Sequence, residues 1–204
     1  MDDIVLQAMA KWPNVPHCFG WLMLDARGNW RMRDERAQHL NLPGDKINHP
    51  TLLGFINRNY THDAEGRWYF QNGPQRVYVD LEITPFVVRT DPAAGFVLHT
   101  GETLAAPSQA WLTEDGRLLL VTGEIVAALD DRDAADVFAT LTLNGVPASD
   151  EQIMEWLEGK HRGALSLPYA GQTLALQWTA SENLAERFGF ITQPRTAGET
   201  KASV

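Results

Sequence analysis

Residues 67–82 read RWYFQNGPQRVYVDLE, and this stretch decides how the first half of the chain folds. Alternating apolar and polar residues flank Asn72 and Gly73, and an Asn-Gly pair between two strand patterns predicts a β-hairpin. Pro74 has no N–H group with which to close a two-residue turn, so a four-residue loop over 71–74 is the alternative. Both turns predict one register of the two strands.

This register pairs Trp68 with Val77 and assigns the hairpin residues to two faces of a sheet, because side chains alternate along each strand. One face is apolar and is predicted to be core, with Trp68, Phe70, Val77, Val79 and Leu81. The other face is polar and is predicted to be exposed, with Arg67, Tyr69, Gln71, Arg76, Tyr78, Asp80 and Glu82.

The polar face carries the functional hypothesis. Tyr and Arg supply stacking, hydrogen-bond donors and cation–π contacts, and both are frequent at recognition surfaces. A solvated sheet face with cross-strand Tyr–Arg pairs is the alternative. Arg58 and Tyr60 precede the hairpin and extend the face in this hypothesis. The candidate binding residues are Arg58, Tyr60, Arg67, Tyr69, Gln71, Arg76 and Tyr78.

Two or more arginines suit an anionic small molecule or an acidic protein partner, because guanidinium groups bind carboxylates and phosphates in bidentate fashion. The leading hypothesis is therefore a non-catalytic binding protein, without a cofactor. A homodimer that buries the tyrosine-bearing face is a further interpretation.

Catalytic signatures are missing from the sequence. It contains no GxGxxG, no Walker loop, no GxSxG and no HExxH, and its histidines show no metal-ligand spacing, so neither a metal nor a cofactor is predicted. A hydrolase whose histidine and carboxylate come from distant segments is the alternative to a binding protein. Its first candidates are His49, His62 and Glu82.

Two other features have a chemical and a structural interpretation. Cys18 is the single cysteine, which excludes an internal disulfide and a CxxC zinc site, and a small buried residue is the favoured interpretation. Asp130, Asp131, Asp133 and Asp136 suggest a calcium loop, but the glycine and late glutamate of an EF-hand are absent. An acidic turn or first helical turn is the favoured interpretation there.

Charge limits the partners. The 17 Lys and Arg residues against 26 Asp and Glu residues give a net charge of −9, of which residues 93–204 contribute most. Nucleic-acid binding needs a basic footprint, and neither half of the chain has one. No polybasic patch, transmembrane segment or signal peptide is recognisable, so no membrane association and a cytoplasmic location are expected.

One turn pattern recurs along the chain. Asp25-Ala-Arg-Gly28-Asn29-Trp30 is nearly repeated at Asp63-Ala-Glu-Gly66-Arg67-Trp68, and Thr113-Glu-Asp-Gly116-Arg117-Leu118 is a looser copy. Repeated hairpin units are one interpretation, and the frequency of such turns in any β protein is the other. The predicted fold class is α+β, with curved antiparallel sheets and a few short helices.

The helices and boundaries follow from caps and breakers. A helix is predicted from Asp3 to Trp12, and another starts at the capping-box pattern of Ser149. Residues Val137–Leu143 predict a strand by their alternation. A boundary in Asp91–Gly95 separates an N-terminal domain, 1–92, from a C-terminal domain, 93–195, and a loose tail, 196–204.

The order of these motifs over residues 18–90 resembles a bacterial family. A strand leads into the turn at Asp25, a helix follows at 47–57, and the turn at Asp63 precedes the strand 75–82. This pattern is similar to the domain of unknown function 1285 or a sister proteobacterial family. The resemblance implies an α+β fold with repeated motifs and suggests a role in signal transduction, and it implies no catalytic residue.

Overall fold

The computed structural model describes residues 1–104, 106–160 and 162–196. Contacts divide the chain into two compact units, one made of Met1–Ile83 with the chain from Gly189 onward, and the other of Thr84–Phe188. The first segment of this unit ends at Ile83, whereas the sequence predicts a domain boundary between residues 92 and 93. That domain boundary stays a prediction. Most of the predicted tail, 197–204, lies outside the described residues.

The first unit is built on a six-stranded sheet in the order β3-β2-β1-β6-β5-β4. Its strands are β1 (Cys18–Leu24), β2 (Trp30–Met32), β3 (Asp45–Lys46), β4 (Tyr60–His62), β5 (Trp68–Asn72) and β6 (Gln75–Leu81). Its helices are α1 (Asp3–Lys11), α2 (Glu35–His39) and α3 (Pro50–Arg58). The His49 imidazole caps α3 by accepting from the Leu52 N–H, and Pro50 occupies the first helical turn.

The hairpin of β5 and β6 exists, but its predicted register is wrong. Asn72 pairs with Gln75 and Phe70 pairs with Val77, so the loop consists of Gly73 and Pro74 alone. Gly73 adopts a φ of +57°, which the first loop position of type I′ and II′ turns requires. Pro74 thus lies in the loop, where it needs no ladder hydrogen bond. The partners shift by two residues, which leaves every side chain on its predicted face.

The predicted exposure of the polar face is also wrong, because both faces of this hairpin are covered. On the polar face Tyr69, Gln71, Tyr78 and Asp80 are each at most 5% exposed. The apolar face is buried as predicted at Trp68, Phe70, Val79 and Leu81. Other segments of the first unit must therefore pack over the polar residues.

The three repeated turns share one hydrogen-bond pattern. In each, the first residue (Asp25, Asp63 or Thr113) exchanges two backbone bonds: its N–H donates to the carbonyl four residues on, at 3.0–3.1 Å, and its carbonyl accepts from the glycine three residues on, at 2.9–3.1 Å. A side-chain oxygen of that residue accepts the N–H four residues on, at 2.8–3.1 Å. The recurrence seen in the sequence is thus a recurrence of geometry.

The second unit contains a nine-stranded sheet in the order β13-β12-β14-β15-β9-β10-β11-β7-β8. Its strands are β7 (Phe86–Asp91), β8 (Gly95–Leu98), β9 (Gln109–Thr113), β10 (Leu118–Thr122), β11 (Ile125–Leu129), β12 (Thr142–Leu143), β13 (Val146–Pro147), β14 (Leu165–Tyr169) and β15 (Gln172–Thr179). Its helices are α4 (Ala134–Phe138), α5 (Asp150–Leu157) and α6 (Leu184–Phe188), the last preceded by a 3-10 turn at Ser181–Asn183. The capping box of Ser149 forms as predicted.

The α+β prediction is confirmed, with two corrections. The sheets are mostly antiparallel, but β1 with β6, β7 with β11, and β9 with β15 pair in parallel. The predicted strand over Val137–Leu143 is wrong, since its first two residues end α4 and only Thr142–Leu143 form a strand. In the part of the chain that is described, no helix is both long and apolar enough to cross a bilayer.

Candidate functional site

Tyr78 is the centre of the covered polar face in the first unit. The Phe19 ring stacks on it with centroids 4.6 Å apart, and the His17 ring meets its edge at 5.6 Å. Its hydroxyl donates to Oδ2 of Asp63 at 2.9 Å. Parallel pairing of β1 with β6 brings Phe19 over this tyrosine, which is why Tyr78 is only 1% exposed.

Two guanidinium groups lie over the tyrosine rings of this face. Arg67 stands 5.0 Å from the centroid of Tyr78, and Arg76 stands 4.6 Å from that of Tyr69. Arg67 also donates from Nε to Oδ2 of Asp63 at 2.8 Å. The structure therefore brings together four of the predicted residues in cation–π contacts.

His17 lies beside this cluster, and its pKa is shifted by burial and by the nearby guanidiniums. Burial, and then the cationic Arg76 and Arg67, lower the pKa of His17 below its usual value, while Asp63 opposes them. Burial is the larger cause of this shift, and repulsion from the two guanidiniums adds to it. Arg67 and Arg76 therefore contribute positive charge near His17, which favours an anion there.

A pocket of about 470 Å³ opens beside His17 and Phe19 on the same face. Its size falls in the range of roughly 300–1,000 Å³ that is typical of small-molecule sites. It is lined by His17, Cys18, Phe19, Gly20, Trp21, Arg33, Gln38, Asn41, Asp80, Arg195 and Thr196.

A bulge in β1 forms one wall of the pocket. Cys18 pairs with Val77 and Leu22 pairs with Val79, so β1 uses two more residues than β6 over this interval. Gly20 lies in the bulge with a φ of +78°, and an added Cβ there would stand 2.7 Å from Oε1 of Gln38. Glycine is thus needed for the backbone conformation, and an added Cβ would also displace the end of the Gln38 side chain.

Two arginines share one carboxylate at the floor of the pocket. Nη1 of Arg33 donates to Oδ2 of Asp80 at 2.5 Å, and Nη1 of Arg195 donates to Oδ1 at 2.8 Å. The side chains of Arg33 and Asp80 are 5% and 4% exposed, whereas that of Arg195 is 37% exposed. The floor carries a net charge of +1, and Arg195 holds the accessible part of it.

The other predicted binding residues lie elsewhere or are enclosed. Tyr60 pairs with Phe70 and contacts Trp30 and Trp68, so it is on the apolar face and does not extend the polar one. Arg58 is exposed and forms an ion pair with Asp2 at 3.2 Å.

Gln71 is on the polar face but closes the hairpin. It is 1% exposed, and its Nε2 donates to the Gly73 carbonyl at 2.9 Å. Its Oε1 is buried and has no hydrogen-bond partner among the described residues. The amide therefore holds the turn and leaves one acceptor unused.

The three candidates for hydrolysis each have a local structural contact. His49 caps α3, His62 packs against Trp68 with its Nδ1 at 2.9 Å from the Asp63 carbonyl, and Glu82 accepts the Ala26 N–H at 2.9 Å. These contacts place them at a helix start, on β4 and after β6 respectively. No observation on these residues favours the hydrolase.

The acidic segment has local structural contacts, and Cys18 is a free, partly buried thiol. Asp130 is fully buried and paired with Arg132, and Asp133 accepts from the Thr90 N–H at 2.7 Å. Among the described residues, no group of three or more His, Cys, Asp or Glu side chains is placed to hold a metal ion. Burial raises the pKa of the Cys18 thiol.

The lowered pKa of Asp63 makes the stability of the first unit depend on pH in the acid range. Burial alone raises its pKa, but hydrogen bonds from Arg67, Tyr78 and the Glu65 backbone outweigh burial and hold the pKa below its usual value. A depressed carboxyl pKa stabilises the fold above the unfolded value of about 3.9, and this contribution is lost as the pH falls through the folded value.

We therefore expect Asp63→Asn to lower the free energy of unfolding by about 1.5–3 kcal/mol at neutral pH. The difference from wild type should shrink below about pH 4, where the wild-type carboxylate becomes protonated. Urea unfolding at a series of pH values measures this, with Glu65→Gln as the control for loss of one exposed negative charge. A difference that is constant with pH would contradict this role of Asp63.

The sequence did not indicate the most informative residues of the pocket. Asp80 was placed on the polar face, but its partners Arg33 and Arg195 are separated from it by 47 and 115 positions. The available signal was the alternation along β6, which places the acid Asp80 on the same face as Tyr78. A buried acid needs a cation, but the sequence does not say which of its 17 basic residues supplies it.

Fold and site together define an α+β protein of two mixed sheets, with a pocket over arginines on one of them. A family model described as "Protein of unknown function (DUF2946)" matches residues 1–195, and the chain belongs to that family. A search of curated proteins found no match.

A solved structure shares the fold. It is a DUF1285 family protein from Silicibacter pomeroyi DSS-3, 15% identical, with a TM-score of 0.50 over 87% of this chain and 96% of that one. The resemblance inferred from the repeated turns is thus confirmed at the level of fold.

Proposed function

We propose that this protein binds a small anionic ligand, without catalysis, in the pocket between the β1 bulge and Asp80. The observation that supports this most directly is the floor, where two guanidiniums share one carboxylate and leave a net positive charge. A pocket whose fixed charge is positive favours an anion over a neutral or cationic compound of the same shape.

The cluster of tyrosines and arginines on the polar face is a second observation that supports the same proposal. Arg67 and Arg76 are held over tyrosine rings close to His17, and both lower the pKa of that histidine. Their positive field reaches the pocket through His17, which lines it. In this proposal the buried Tyr69 and Tyr78 position the arginines.

An NMR titration tests the proposal on the intact chain. Citrate and inorganic phosphate are added to ¹⁵N-labelled protein, and we expect the amide signals of Gly20 and Trp21 to shift. Arg195→Glu reverses the accessible floor charge and is expected to weaken binding at least about tenfold, since one charge-assisted hydrogen bond contributes about 1.5–3 kcal/mol.

The control is Arg89→Glu, which makes the same change in net charge at an exposed position of the second unit. It should leave the affinity at the wild-type value. Equal weakening in both variants would mean that the anions respond to overall charge and that the pocket is not the site.

A further inference from the structure

We propose that the ligand of this pocket is a planar aromatic monocarboxylate, and that Arg195 is the residue that binds its carboxylate. This inference rests on the proposed function and adds a ligand class to it. It follows from three properties of the pocket: its net charge, the geometry of its accessible donor, and the residues of its wall.

The charge of the floor sets the charge of the ligand. Among the residues that line the pocket, Arg33 and Asp80 neutralise each other in a buried pair, and Arg195 is the cation left in excess. One negative charge balances it. A trianion or a phosphate dianion still meets a positive site, but its additional charge lies next to the buried Asp80 carboxylate and is not compensated, so it binds more weakly than a monocarboxylate.

The donor geometry favours a carboxylate. Arg195 contacts Asp80 from Nη1 at 2.8 Å and from Nη2 at 3.4 Å, and Nη1 also donates to the Pro194 carbonyl at 2.7 Å. A guanidinium carries five N–H donors, so these contacts leave it donors for a second carboxylate. Its plane is already held by Asp80, which lowers the entropy lost when the ligand binds.

The wall favours an aromatic ring. Phe19 and Trp21 both line the pocket, and Trp21 is 40% exposed. Phe19 is fixed by stacking on Tyr78 at 4.6 Å. An aromatic wall beside a single accessible cation is complementary to a flat ring that carries one carboxylate.

Three probes separate this inference from the proposed function: 2-naphthoate, its neutral analogue 2-naphthamide, and citrate. By calorimetry and the NMR titration above, 2-naphthoate is expected to bind wild type at least about tenfold more tightly than 2-naphthamide. Trp21→Ala should weaken 2-naphthoate by roughly two- to tenfold and leave citrate unchanged. Arg195→Lys keeps the positive charge but loses the planar guanidinium that can donate two hydrogen bonds to one carboxylate. This variant should therefore bind 2-naphthoate more weakly than wild type.

The outcomes are distinct. Citrate that binds at the pocket while 2-naphthoate does not bind there overturns the ligand class and leaves the proposed function standing. Equal affinity for 2-naphthoate and 2-naphthamide overturns the role of Arg195. Absence of any anion-induced shift at Gly20 and Trp21 overturns both proposals. Since Trp21 and Arg195 are partly exposed, their variants are expected to fold, which matching circular dichroism spectra and thermal midpoints would verify.

Discussion

Asp80→Ala is expected to lower the free energy of unfolding by about 3–5 kcal/mol, the cost of leaving a buried charge without its partner. The Arg33 side chain is 5% exposed, and the Asp80 carboxylate, 2.5 Å from its Nη1, neutralises its charge. Its remaining bonds, to the carbonyls of Leu42 and Ala37 and to Asn41, do not neutralise it. Removal of the carboxylate also releases Arg195.

Urea unfolding of the whole chain measures this effect. The matched control is Glu158→Ala, which breaks an ion pair with Lys160, a side chain that is 68% exposed. That variant should unfold at the wild-type urea concentration, because exposed pairs are screened by water. Similar midpoints for Asp80→Ala and Glu158→Ala would contradict the importance of the buried pair.

A double variant separates charge from shape. Arg33→Met with Asp80→Leu removes both buried charges and fills their volume with apolar groups, which is often neutral or stabilising relative to the pair. We expect it to be more stable than Asp80→Ala by several kcal/mol, in the same range as the cost above. If the double variant is as unstable as the single one, the loss arises from packing and not from the unpaired Arg33.

Side-chain alternation predicted the faces of the hairpin correctly although the register was wrong. The strand pattern assigns Tyr69, Tyr78 and Asp80 to one face, and a shift of two residues in the partner strand preserves that assignment. The position of the loop was missed because Asn-Gly is a strong turn signal, whereas Pro74 is accommodated more easily inside the loop than in the strand after it.

What covers the polar face was not predictable in the same way. Phe19 reaches Tyr78 through parallel pairing of β1 with β6, and parallel partners are far apart in sequence. Arg195 arrives from the end of the chain. Alternation describes one strand at a time, so it separates two faces but does not tell whether a second layer lies on the polar one.

The strand predicted at Val137–Leu143 shows a second limit. Ala134 and Ala135 favour a helix, and the helix that they begin continues through Val137 and Phe138. The apparent alternation therefore spans the end of one element and the start of another. A window of seven residues cannot detect such a boundary when no proline or glycine marks it.

Gly66→Ala is the second substitution for which a large effect is expected, about 2–5 kcal/mol of lost stability. Gly66 has a φ of +76°, where a side chain costs about 1–2 kcal/mol. An added Cβ would also stand 2.1 Å from the Gly189 carbonyl oxygen, and this is a backbone atom that no rotamer change can move away. Overpacking of this kind costs a further 1–3 kcal/mol, roughly.

Two glycines of similar backbone conformation isolate the contact with Gly189. Gly116 occupies the same position of the third repeated turn, with a φ of +78°, and Gly73 lies in the hairpin of the first unit, with a φ of +57°. An added Cβ meets nothing within 4 Å at either site. Alanine at Gly116 or Gly73 should therefore cost about 1–2 kcal/mol, which is the conformational part alone.

Hydrogen exchange locates the damage, because the segment after Gly189 is held by one backbone hydrogen bond at Gly66 and one at Leu81. The Ile191 N–H donates to the Gly66 carbonyl at 3.0 Å, and the Leu81 N–H donates to the Thr192 carbonyl at 2.7 Å. In Gly66→Ala both amides should exchange faster than in Gly73→Ala. Equal losses of stability and equal exchange in these two variants would mean that the segment moves aside freely. The position of Arg195, three residues beyond Thr192, would then not depend on the turn at Asp63.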